Sequence, residues 1–115
     1  FGNSVEARRS SMSGDYEKDT IEVIHNLQDT IALPQDADGH AKTESDAVEL
    51  ITDYISLYRN RQNVNSLNSF TTMQTALNSL AGHYKNYANR PIPDALKDRL
   101  EKELVKAEKS VARGT

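Results

Sequence analysis

Between Ser66 and Asn89 the chain runs SLNSFTTMQTALNSLAGHYKNYAN, and Lys85 is the one residue there that carries a full charge at neutral pH. Phe70, Met73, Leu77, Leu80, Tyr84 and Tyr87 follow one another at spacings of three or four. A helix therefore places all six on one stripe that other elements must cover. The opposite side carries Asn, Ser, Thr and Gln where Lys and Glu are usual, which suits a face offered to another surface better than a plainly solvated one. Ala76, Ala81 and Gly82 flank the stripe. Gly82 costs a helix about 0.5–1 kcal/mol relative to Ala, and a cost of that size implies close packing against a neighbouring backbone. Pro91 and Pro93 end the segment, since neither continues a helix and each disfavours helical geometry at the residue before it.

The stripe needs partners, and the rest of the chain supplies three. Asp15 can cap a first helix, with Glu17 and Asp19 in its first turns at the positive end of the dipole. Tyr16, Thr20, Ile24, Leu27 and Ile31 form its inner seam, Ile21 and Val23 widen it, and Pro34 ends it. Its outer face reads as acidic, with five carboxylates against one lysine between Asp15 and Leu33. Pro34 to His40 reads as a surface loop. Thr43, three residues before Asp46, resembles a capping box and opens a second helix. Ala47, Val48, Leu50, Ile51, Tyr54, Ile55, Leu57 and Tyr58 give that helix its apolar face, and RNRQNVN breaks it. Pro93 suits the first position of a fourth helix, where Ile92, Leu96, Leu100, Leu104, Ala107 and Val111 recur about every fourth residue and Gly114 supplies the stop.

No strand alternation competes, and a chain of 115 residues can bury one core without staples. The expected fold is all-α: an up-down-up-down four-helix bundle over residues 15–113. Its helices should hold about 18 to 24 residues, roughly 27–36 Å each. Residues 1–14 read as a flexible arm.

A net charge of −3 argues against nucleic acid as a partner. The absence of cysteine removes disulfide and thiolate chemistry. No apolar run approaches the ~20 residues of a membrane span. Phe1 stands first without a basic and then apolar leader, so the expectation is that a targeting segment has been removed or the chain trimmed.

The constellations that could carry chemistry each have a plainer reading. Glu22-x-x-His25 is half of a carboxylate-bridged dimetal motif whose second copy is missing, and it fits a solvated helix face. Asp36, Asp38 and His40 sit close together, but an EF-hand loop counted from Asp36 would need Gly and Glu where Ala41 and Ala47 stand, so they read as a turn. His83 beside Tyr84 lacks a positioned nucleophile and an orienting acid. No G-x-S-x-G elbow or glycine-rich phosphate loop exists. No catalytic residue, cofactor or resident metal is therefore expected. Tyr54, Tyr58, Tyr84 and Tyr87 read as half-buried core. Arg59, Arg61, Lys85 and Arg90 give basic spots on an acidic chain. Dipole compensation explains Arg59 and Arg90, and docking to an acidic partner surface is the functional alternative.

Residues 70 to 104, FTTMQTALNSLAGHYKNYANRPIPDALKDRLEKEL, strongly resemble the Psb27 family of photosystem II assembly and repair factors. So do residues 15 to 34, DYEKDTIEVIHNLQDTIALP, and the LYRNR at 57 to 61; the likeness runs from about Asp15 to Arg113. The resemblance implies a small four-helix bundle of the thylakoid lumen, monomeric when free and peripheral to the membrane through its partner. It also implies a non-catalytic accessory factor for photosystem II core subunits. The main contact would be the large lumenal loop of the inner antenna subunit, chlorophyll protein forty-three, left before the manganese cluster and extrinsic subunits are complete. Two other roles fit less well: a permanent extrinsic subunit, or a Mn- or Ca-handling protein using Asp36, Asp38 or the acidic face of the first helix. Cyanobacterial members carry a lipid on an amino-terminal cysteine, and this sequence offers none. The expected contacts are the polar side of the third helix and the arginines near its ends: Arg59, Arg61, Asn68, Asn78 and Arg90.

Overall fold

The computed structural model describes residues 12–34, 36–87 and 90–115. Four helices follow in order, α1 (Tyr16–Ala32), α2 (His40–Tyr58), α3 (Asn68–Asn86) and α4 (Asp94–Ala112). Among the described residues there is no strand. Each helix packs on two others, α1 on α2 and α4, α3 on α2 and α4. Pairings across the bundle fix the directions. Tyr16 at the start of α1 meets Ser69 at the start of α3. Thr20 meets Tyr54 near the end of α2, and the Ser69 N–H donates to the Thr115 carbonyl just past α4. Successive helices are thus antiparallel, and the bundle runs up, down, up, down.

The apolar seams meet in one core. Val23, Ile24, Leu27, Ile51, Tyr54, Tyr58, Phe70, Met73, Leu77, Leu80, Leu100 and Leu104 are all fully buried. Residues of this kind contribute about 1.5–3 kcal/mol each when removed from water. The most extensive packing is between α3 and α4, helices that bury the small residues Ser69, Ala76, Ala107 and Ser110. Asp15 caps α1, accepting the Lys18 N–H at 3.1 Å. Gly114 (φ +79°) ends α4: its N–H donates to Val111 O and the Thr115 N–H to Ser110 O, the reversal that a left-handed residue makes possible.

The structure departs from the sequence expectations in five places. The loop expected through His40 is shorter, because α2 already begins at His40, with Gly39 before it. Thr43 lies inside that helix and its hydroxyl donates to Gly39 O rather than capping. Pro93 is the residue before α4, not its first. Tyr87, the sixth member of the apolar stripe, follows the last turn of α3 and is 56 % exposed, because the helix ends before it could turn inward. Gly82 is the fifth departure: a Cβ there would meet nothing within 4 Å, so among the described residues no neighbouring backbone requires glycine. Of the arm expected over residues 1–14, residues 1–11 lie outside the described residues, while Met12 packs against the core.

Candidate functional site

Among the described residues the most connected side-chain polar group is Asp19, which the acidic-face reading placed outside and the structure buries completely. One carboxylate oxygen accepts the Ser13 N–H at 2.9 Å and the Ser13 hydroxyl at 2.8 Å. The other accepts the Gly14 N–H at 3.0 Å and the Tyr58 hydroxyl. Burial alone would raise the pKa of Asp19; the hydrogen bonds from Tyr58, Ser13 and Gly14 outweigh it and hold the carboxyl below its ordinary value. Burial and the adjacent carboxylate in turn push the Tyr58 phenol far up. Arg61 completes the clasp. Its Nη1 donates to Gly14 O at 2.9 Å, and its guanidinium carbon lies 5.0 Å from the centre of the Tyr58 ring. Gly14 adopts φ +91°, a conformation in which a side chain is strained. The clasp was legible in one respect: Asp19 stands four residues before Val23 and eight before Leu27, which is core register on α1.

The five residues expected to touch a partner do not converge. Arg59 is exposed just past α2, with its carbonyl accepting Asn65 Nδ2 at 2.9 Å. Arg61 is half-buried in the clasp, and Asn68 is exposed at the start of α3 near the same end of the bundle. Asn78 is exposed midway along α3. Arg90 belongs to the opposite end, where its N–H donates to Tyr87 O and its carbonyl lies 3.2 Å from His83 Nε2. From Asn68 to Asn86 the helix that separates them spans about 28 Å. His83 is buried, so its ring packs between Tyr84, Tyr87 and the Arg90 carbonyl.

That second end holds another buried acid. Glu44 is 5 % exposed, and its Oε2 lies 3.0 Å from His40 Nδ1 one turn earlier on α2. Tyr84 faces it; desolvation and then the Glu44 charge push the phenol up to about 12. His25 meets Glu108 of α4 at 3.2 Å rather than Glu22. Asp36 and Asp38 are exposed, and among the described residues no three His, Asp or Glu side chains converge as a metal site would require.

Charge is unevenly shared between the two halves. α1 and α2 hold eight carboxylates against two lysines, whereas Asn68 to Ala112 holds seven Lys or Arg against five carboxylates. The α3 face between them and solvent (Thr71, Thr75, Asn78, Gly82) is uncharged.

A family model described as Photosystem II Pbs27 matches residues 3–111. The chain belongs to the Psb27 family. Photosystem II lipoprotein Psb27 of Synechocystis is 50 % identical over 105 residues, covering 91 % of this chain and 78 % of that protein. Photosystem II assembly factor lipoprotein Psb27 of Thermosynechococcus vestitus is 42 % identical over 104 residues, covering 90 % and 78 %. The solution structure of Psb27 from cyanobacterial photosystem II superposes with a TM-score of 0.85 at 50 % identity, covering 90 % of each chain. The Psb27 fold is therefore the one this sequence adopts, from the clasped start of α1 to the end of α4.

Proposed function

We propose that this chain is a non-catalytic accessory factor in the biogenesis and repair of photosystem II. It binds the lumenal side of an assembly intermediate, chiefly the large lumenal loop of chlorophyll protein forty-three, and leaves before the manganese cluster and extrinsic subunits are in place. The observation that carries this reading is the 42 % identity to a relative named as a photosystem II assembly factor, extending over nine-tenths of the chain. A filled helical core with an uncharged flank on α3 supports it, since such a body offers surfaces for recognition. In this reading the protein is monomeric when free, and it is held at the lumenal face of the thylakoid membrane by its partner. Arg59, Asn68, Asn78 and Arg90 are proposed contacts, with Arg61 contributing through the clasp it holds.

Tagged protein should co-purify with core complexes that lack manganese and the extrinsic subunits. Recovery only on mature, oxygen-evolving complexes would replace the assembly role with that of a permanent extrinsic subunit. Arg59→Glu combined with Arg90→Glu should weaken capture of immature cores with helicity unchanged; equal capture would remove both arginines from the contact set.

A further inference from the structure

The helix that reads from sequence as an ordinary charged solvent face is split lengthwise. Lys102, Lys106 and Lys109 on α4 and Arg113 at its C-cap are all exposed and follow one another at spacings of four, three and four, one row along the helix axis. Asp98 and Glu101 mark the edge of that row toward α1, where Glu108 already reaches His25. On the other edge Arg99, 3.6 Å from the Glu103 carboxylate, reaches across to Ser79 of α3 at 2.7 Å. Among the described residues none of the four cations is paired with a carboxylate. Beside them Val105 is 42 % exposed, in an open trough of about 510 Å3 lined by the same four side chains and the two edge acids.

We propose that this row docks an extended acidic segment of a protein partner, with its carboxylates on the four cations and one apolar side chain over Val105. Charge complementarity selects the occupant. The chain's own first eleven residues carry Arg8 and Arg9 against Glu6, so they are not attracted to a basic row. A second copy would bring another net −3 body, but its carboxylates lie mostly on the folded α1 and α2 faces; among its described loop residues only Asp15, Asp36 and Asp38 are acidic, too few and too scattered for an extended acidic segment. An anionic membrane attracts surface Lys and Arg, yet it would have to accept Asp98 and Glu101 at the edge of the same row. Spacing fits a peptide: rises of about 6, 4.5 and 6 Å between successive cations compare with roughly 6.6 Å between alternate residues of an extended chain. This deepens the assembly-factor reading and rests on it only for the partner being a photosystem II subunit.

The test titrates the isotope-labelled chain with a short synthetic peptide that alternates aspartate and alanine around one central leucine. Amide shifts should gather on residues 102–113, and affinity should fall about tenfold between about 20 and about 200 mM salt. Lys106→Glu with Lys109→Glu, its helicity checked, should cost at least about tenfold more. Shifts gathered on other helices, or peptide binding that the double variant leaves intact, would overturn the proposal. So would tighter binding to phosphatidylglycerol vesicles than to the peptide, which would make the row a lipid contact. Capture of purified immature core complexes separates the two readings. If wild type and double variant are captured alike, the row is not the docking surface and the assembly role stands. If neither is captured while the peptide still binds residues 102–113, the assembly role fails and the acidic-segment site stands.

Discussion

At the scale of single residues, the molecule is organised around carboxylates that it buries. Asp19 receives four donors from Ser13, Gly14 and Tyr58, and hydrogen bonds to a charged group are worth about 1.5–3 kcal/mol each before non-additivity. Asp19→Ala strands those donors in the interior and should lower unfolding free energy by about 2–4 kcal/mol in urea titrations, with Asp19→Asn close behind. Because its folded-state pKa lies below the ordinary value of 3.8, the stability from Asp19 is fully present above that value and is lost as pH falls through the lower, folded one. Wild type should therefore hold its stability down to about pH 4 and lose it below, and Asp19→Asn should flatten that acid limb. An unchanged limb would show that other carboxylates set it. Tyr84 contributes to the opposite limb, together with Tyr54 and Tyr58, whose phenols burial pushes up further. Raised to about 12, the Tyr84 phenol favours the fold below pH 10 and loses that contribution as pH climbs from 10 to 12. Absorbance at the phenolate band should show Tyr84 ionising late, and Tyr84→Phe should remove that step and its own share of the alkaline loss of stability, leaving the shares of Tyr54 and Tyr58.

At the scale of elements, what could be read from the sequence was whatever depends on periodicity and short-range chemistry. The Asp15 cap, the α1 seam and the Gly114 stop depend on residues within one or two turns, and each stands where those residues place it. The misread features depend on neighbours far along the chain. Asp19 looks like a first-turn dipole residue until Tyr58, thirty-nine positions away, arrives above it. Tyr87 continues the α3 stripe on paper, but the helix ends at Asn86 and the side chain turns to solvent. Gly82 was expected to admit a neighbour and admits none, so its helical cost is uncompensated within this chain. Gly82→Ala should accordingly stabilise the free protein by about 0.5–1 kcal/mol, read as a shift in urea midpoint at constant slope. If the same change weakens capture of core complexes, the open face at Gly82 is a contact with the partner; if stability falls instead, a close approach at that position has been missed.

At the scale of the whole molecule, helix order decides which charged faces merge, and no single helix discloses it. α1 and α2 are predominantly acidic, while α3 is nearly neutral and α4 carries Lys102, Lys106 and Lys109 on one edge, so the bundle has an acidic half and a half able to meet acidic surfaces. The same assembly places the clasp at the end where α1 begins, α2 finishes, α3 begins and the chain after α4 closes through Thr115. The contacts that hold the bundle thus reach back at least to Met12, ahead of the Asp15 cap. A chain beginning at Met12 keeps the Ser13 and Gly14 donors to Asp19 and the Gly14 carbonyl that Arg61 holds; one beginning at Asp15 loses them all and leaves a buried carboxylate with Tyr58 as its sole remaining donor in this set. The shorter chain should be less stable than the longer by about 2–3 kcal/mol, with much of the difference vanishing in an Asp19→Asn background, because the lost donors act through that carboxylate. Equal stability of the two chains would mean that water replaces the Ser13 and Gly14 donors without loss, and that the first helix alone, from its Asp15 cap, defines where this fold begins.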